Sequence, residues 1–201
     1  MVPGGHMGSE APAGCRYLVR DAFGEQYAEA YGIPEPSRIA LTALAEASSS
    51  DVLVALHAGR DEALRDALDR TGFERGVSSV GVELLPTAII CGPAVIPGAT
   101  ACYACYRRHE EAARPYDVGA ATRGLAEGFA QPHLAIAHGL LALALAELRA
   151  GPVGIGATVR SFDLVTGTLS TTSTAAADGC SRCGGVRGAP MSAAAIGVGL
   201  P

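Results

Sequence analysis

Tryptophan is absent from this 201-residue chain, and aromatic residues make up only 5% of it. A core built from such a chain is filled mainly by Ala, Leu, Val and Ile. Charge is scarce too, at 17% against 49% hydrophobic residues, which excludes a disordered chain. The charge present leans acidic, with 15 basic and 20 acidic residues and a net charge of −5. That excludes a nucleic-acid-binding domain that depends on a strong basic footprint. No secretory signal is evident, because Met1 to Glu10 is rich in Gly and Pro and lacks a charged region followed by an apolar one. The expectation is a cytoplasmic protein. The most apolar run, Leu134 to Ala146, is shorter than the ~20 residues needed to cross a bilayer, so no membrane partner is expected. Neither G-x-G-x-x-G after an apolar strand nor G-x-x-x-x-G-K-[ST] is found. Gly151 to Gly156 is glycine-rich, but it follows a helical segment and reads as a connector. No internal repeat is visible.

The length favours one domain. Residues 1–10, with Gly5-His6-Met7-Gly8-Ser9, read as a tag-like or ragged start. Residues 11–187 read as an α/β domain with a metal site, and residues 188–201 as a flexible tail of small residues. Tyr17-Leu18-Val19 is a short strand candidate. Ser37 to Ala47 has helical spacing in Ile39, Leu41, Leu44 and Ala45, with Ser37 as cap. Val52 to Leu56 is a continuous apolar run, as expected of a buried parallel strand. Arg60 to Arg70 places Leu64, Ala67 and Leu68 on one face, with Gly72 and Gly76 as its stop. Val80 to Leu85 is the next strand, completing a β-α-β unit. Thr87 to Ile96 reads as another strand, broken at Gly92-Pro93. Gln131-Pro132 starts the long apolar helix, and Gly151-Pro152 stops it. Its apolar character on every side predicts packing on a sheet and in a subunit interface. Thr158 to Asp163 and Thr168 to Thr174 flank Val165-Thr166-Gly167 as a β-hairpin.

The six cysteines carry the strongest signal. Cys102 and Cys105 form one C-x2-C, and Cys180 and Cys183 form another. Two residues between cysteines let both thiolates of a turn point at one ion, and two such knuckles complete a tetrahedral S4 site suited to Zn2+. The long separation of the pairs requires the fold to bring them together, so the metal is expected to clamp the C-terminal region to the middle of the chain. One C-x2-C alone also serves as a redox dithiol or a disulfide. Cys15 and Cys91, without partners at metal spacing, read as core residues. His133 and His138 read as packing residues of the apolar helix. His57 follows a strand, where α/β proteins often bind ligands. Arg107-Arg108-His109-Glu110-Glu111 reads as a solvated helix face.

The run from Gly92-Pro93 through Pro97-Gly98 to Cys102-Tyr103-Ala104-Cys105-Tyr106-Arg107-Arg108, with the distal Cys180-Ser181-Arg182-Cys183, resembles the ThiF-like superfamily. That is the fold of ubiquitin-activating and sulfur-carrier-activating enzymes. Within it, the sequence looks most like the ThiF-like partner proteins of YcaO azole-forming cyclodehydratases, which act on ribosomally made peptides. The resemblance covers about Asp51 to Gly185. It implies a truncated, Rossmann-related α/β sheet with crossover helices, a long apolar helix, a C-terminal hairpin and a structural zinc on Cys102, Cys105, Cys180 and Cys183.

The sequence departs from active members of that superfamily. The Gly-rich ATP loop is absent. His57-Ala58-Gly59-Arg60 puts Ala and Gly where an Asp-Asn turn is expected. No later Cys stands out as a thioester former. The segment before Asp51 is short for a winged-helix leader-peptide reader. The resulting expectation is a non-catalytic scaffold without ATP or catalytic residues. Its partners would be a YcaO-type enzyme, a precursor peptide and a second copy of itself. The rival is a minimal adenylyltransferase whose ATP site is built around His57, Arg60 and Arg65. A dithiol oxidoreductase is a third reading.

Overall fold

A computed structural model describes residues 14–48, 50–113, 128–151 and 156–184. The calls on residues 1–10 and 188–201, and on most of the Gly151–Gly156 connector, lie outside them. Six strands form one sheet in sequential order: β1 (Cys15–Val19), β2 (Val52–Ala58), β3 (Ser78–Leu85), β4 (Ala88–Cys91), β5 (Ala157–Asp163) and β6 (Leu169–Thr174). The first three run parallel, and the last three are joined antiparallel. The helices are α1 (Ala22–Ala30), α2 (Glu62–Arg75), α3 (Tyr103–Ala113) and α4 (Gln131–Ala150).

Strand β2 reads as a continuous apolar run because both its faces are covered. On one face, Val54, Leu56 and Val82 meet Phe23 and Tyr27 of α1 and Leu134, Leu141 and Leu145 of α4. On the other, Leu53 and Ala55 meet Leu64 and Leu68 of α2. Asp61 caps α2 by accepting from the Leu64 N–H at 3.0 Å, and Gly76 ends it in the left-handed conformation at φ 66°. Gly72 lies within the helix. The chain doubles back there, and a Cβ on Gly72 would stand 2.8 Å from the Val77 carbonyl oxygen.

The helix expected over Ser37–Ala47 does not form. Two 3-10 turns, Glu35–Ser37 and Leu41–Glu46, take its place, and Ser37 is the last residue of the first rather than a cap. The reason lies between them. Arg38 bridges Tyr17, and the Ile39 N–H donates to the Tyr17 carbonyl at 2.9 Å. This stretch is therefore extended along the edge of β1, and only six residues remain to wind.

Helix α4 runs between the start and stop read from the sequence and so extends past the apolar run at both ends. It has 20 residues and is long and apolar enough to cross a membrane by length and composition. One side, Leu134, Ala137, Leu140, Leu141, Ala144, Leu145 and Leu148, is buried on the sheet. The opposite side leaves Ala135, Gly139, Ala142, Leu143 and Ala146 exposed. His138 lies between the two sides. Its Nδ1 is 2.9 Å from the Tyr27 hydroxyl, and its ring stacks on Tyr31 at 3.8 Å. His133 works at the helix start, where its Nδ1 accepts from the Ala130 N–H at 3.0 Å. His138 is a packing residue, as expected, whereas His133, expected to pack as well, caps the helix start. Cys15 and Cys91 are core residues, also as expected.

Candidate metal centre

Cys102 immediately precedes α3, and Cys105 lies in its first turn. The Cys105 and Tyr106 N–H groups both donate to the Cys102 carbonyl, at 3.1 and 3.2 Å. The second knuckle follows β6. Gly179 and Gly184 flank it with φ of 67° and 70°, a conformation that favours glycine. The Gly184 N–H closes the turn on the Cys180 carbonyl at 2.9 Å.

The fold brings both pairs to one point. The four Sγ atoms all lie within 4.8 Å of one another, and all four residues are buried. Cys102 Sγ is 3.7 Å from Cys105 Sγ and 3.5 Å from Cys180 Sγ, and Cys105 Sγ is 3.6 Å from Cys183 Sγ. A zinc ion with Zn–S bonds of about 2.3 Å sets tetrahedral S···S edges of about 3.8 Å. A disulfide needs about 2.05 Å, and all six cysteines are free. The donor set and its spacing thus fit a tetrahedral thiolate-bound ion. Bound there, the ion would supply a cross-link between α3 and the segment after β6.

The electrostatics are uneven. Burial pushes the Cys102 and Cys105 thiols up. Burial acts on Cys180 as well, but the N–H groups of Cys183 and Arg182 and the Cys102 and Cys105 thiols together outweigh it and bring that thiol down to about 6. The Ala177 N–H donates to Cys105 Sγ at 3.2 Å. Such N–H···S contacts favour thiolate over thiol. Ala101, Ala157 and Phe73 pack with the four cysteines in one apolar cluster.

Sequence reasoning missed the residue that holds the two knuckles together. Asp69, buried on α2, accepts from the Tyr103 N–H at 3.1 Å and from Arg182 at 2.7 Å. Tyr103 follows the first ligand, and Arg182 lies between the last two. Arg182 also reaches Asp66 at 2.7 Å. Burial pushes the Asp69 carboxyl up, and the Arg182 guanidinium and Tyr103 N–H pull against it. The available signal was a cation inside the second knuckle and acids one helical turn apart on α2.

The residues named for a rival ATP site are not free. His57 lies inside β2 and is 0% exposed. Its Nδ1 is 2.9 Å from the Gly59 carbonyl oxygen, and its Nε2 is buried without a hydrogen-bond partner. Arg65 is buried, donating to Glu83 at 3.0 Å and to the Gly92 carbonyl at 2.6 Å. Arg60 donates through both terminal nitrogens to Glu110, at 2.7 and 2.8 Å. The run Arg107 to Glu111 is accordingly more than a solvated face. Arg107 pairs with Glu62, Glu110 and Glu111, and His109 meets the Ala175 carbonyl. These contacts tie α3 to α2 and to the end of β6.

No protein-family model matches the sequence, and no curated protein does. Solved structures do match. The heterocyclase TruD aligns with TM-score 0.52 and 17% identity, over 85% of this chain and 27% of its own. E. coli MccB with MccA-N7isoASN aligns with TM-score 0.51 and 15% identity, over 73% of this chain and 46% of its own. A chain of the E. coli microcin synthetase McbBCD complex aligns with TM-score 0.53 and 16% identity, over 67% of this chain and 53% of its own. This chain therefore spans about a quarter to a half of the length of those it matches. At such identities the likeness speaks for the fold, which is ThiF-like and related to that of heterocyclase structures.

Proposed function

We propose that this chain is a non-catalytic, zinc-clamped docking subunit in the maturation of a ribosomally made peptide. It would assist a YcaO-type cyclodehydratase that forms azoles. The observation that carries the reading is the pairing of a heterocyclase-like sheet with a complete four-cysteine clamp. The engagement of Arg60 and Arg65 within the fold supports a binding role over turnover. The zinc would be structural, on Cys102, Cys105, Cys180 and Cys183. The exposed apolar side of α4 suits a second copy of the chain, and the setting is the cytoplasm.

Co-expression with a candidate YcaO-type enzyme tests this directly. The two proteins should co-purify, and a Cys/Ser-rich precursor peptide should add to the complex. Failure to associate, together with AMP or pyrophosphate release by this chain alone on ATP and peptide, would sink the reading.

A second reading, a minimal adenylyltransferase, draws on the likeness to MccB, which has been solved with AMPCPP and MccA. Titration with ATP·Mg separates the two.

A further inference from the structure

We infer that the phosphate seat of this sheet is closed by the chain's own Asp21, so that it does not hold a nucleotide phosphate. In sheets of this class, phosphates sit at the N-terminus of the helix after the first strand. A Gly-rich turn brings backbone N–H groups close to them there. Here that turn is only Arg20-Asp21, with no glycine.

The Asp21 side chain takes the N–H groups for itself. Its Oδ1 accepts from the Phe23 N–H at 3.0 Å and the Gly24 N–H at 3.2 Å. Its Oδ2 accepts from the Ala58 N–H, at the end of β2, at 2.7 Å. One carboxylate thus bridges the start of α1 and the end of β2. A phosphate would need the same donors and would meet a negative charge among them. Gly24 has a different task from a phosphate-loop glycine. A Cβ there would stand 2.7 Å from the Leu56 carbonyl oxygen, so it lets α1 lie close on β2.

Two further observations agree. Ligands in open α/β sheets bind where the strand order reverses, and the strands of the described residues run from β1 to β6 without a reversal. The nearby cations are also engaged: Arg20 lies 3.5 Å from Asp61, and Arg60 and Arg65 are held as described. A nucleotide therefore does not fit the residues present.

The inference goes beyond the docking reading and is tested without any partner, so either can fail alone. Calorimetry of the full chain should show no saturable binding of ATP·Mg or pyrophosphate. Asp21→Gly should fold, because glycine is a fair helix N-cap. It frees the three N–H groups, so pyrophosphate should raise its Tm saturably, by about 3 °C. An Asp21→Gly protein that gains nothing overturns the inference. If that variant does not fold, wild-type amide signals decide. Phe23, Gly24 and Ala58 should stay unmoved under ATP·Mg, and saturable shifts there overturn it.

Discussion

Asp69 and Arg182 meet at 2.7 Å across the gap between α2 and the second cysteine knuckle. The same carboxylate takes the Tyr103 N–H beside the first knuckle. One buried acid therefore positions both halves of the four-cysteine cluster without being one of its four candidate ligands. Outer partners of this kind typically set 10–100-fold in metal affinity. Asp69→Asn should weaken zinc by about that factor while keeping all four ligands, as read by competition with a chelator. Arg182→Met should act in the same direction. The double variant should lose less than the sum of the two, because the pair acts as a unit.

A second buried pair holds α2 to the sheet. Arg65 donates to Glu83, and its guanidinium lies 4.8 Å from the centre of the Tyr103 ring. Removing one partner leaves a charge buried and unpaired. Arg65→Met should therefore cost about 3–5 kcal/mol of stability. Replacing both partners with apolar residues should cost less than Arg65→Met alone. Gly81→Ala should also destabilise, because its Cβ would stand 2.0 Å from the Arg65 guanidinium carbon. Denaturant unfolding at fixed zinc checks all three.

His57 gives the fold a pH dependence with a defined sign. Burial and the nearby Arg65 hold its imidazole below its usual range, outweighing Glu83 at 3.9 Å, Asp61 and the Gly59 carbonyl. Below pH ~6.5 the unfolded chain takes up a proton that folded His57 refuses. Stability should fall as pH drops through that value, by up to about 1.4 kcal/mol per unit. His57→Phe should flatten the slope between pH 7 and 5. The two proteins differ at this one residue, so the difference between the two unfolding curves isolates His57.

The exposed side of α4 carries Leu143, 51% exposed, among alanines and Gly139. If this side pairs two copies, Leu143→Glu should produce a monomer with unchanged secondary structure. Sedimentation of wild type and variant checks this, and a wild type that sediments as a monomer contradicts the pairing.

The parallel half of the sheet was legible because β2 is apolar on both faces, β3 carries Val80, Val82 and Leu84 on one face, and α2 ends at Gly76. The four cysteines that cluster were legible because each pair stands at the short spacing of a metal knuckle. The region from Pro34 to Ala47 was not, since the pull of the β1 edge on Arg38 and Ile39 is a tertiary contact that leaves no periodicity. Asp69 and Arg182 were hidden for a related reason. They lie far apart in sequence, and each alone reads as a surface charge. Arg107 and Glu110 were misread in the same way, as their partners are Glu62 at the start of α2 and Arg60 in the turn just before it.

The most direct test of the docking reading is reconstitution of azole formation from purified parts. A YcaO-type enzyme, its precursor peptide and ATP are combined with and without this chain, and the peptide mass is followed. Dehydration of the peptide should require the chain, and the chain with ATP and peptide alone should release neither AMP nor pyrophosphate. Full conversion without the chain, or nucleotide turnover by the chain alone, would contradict the account.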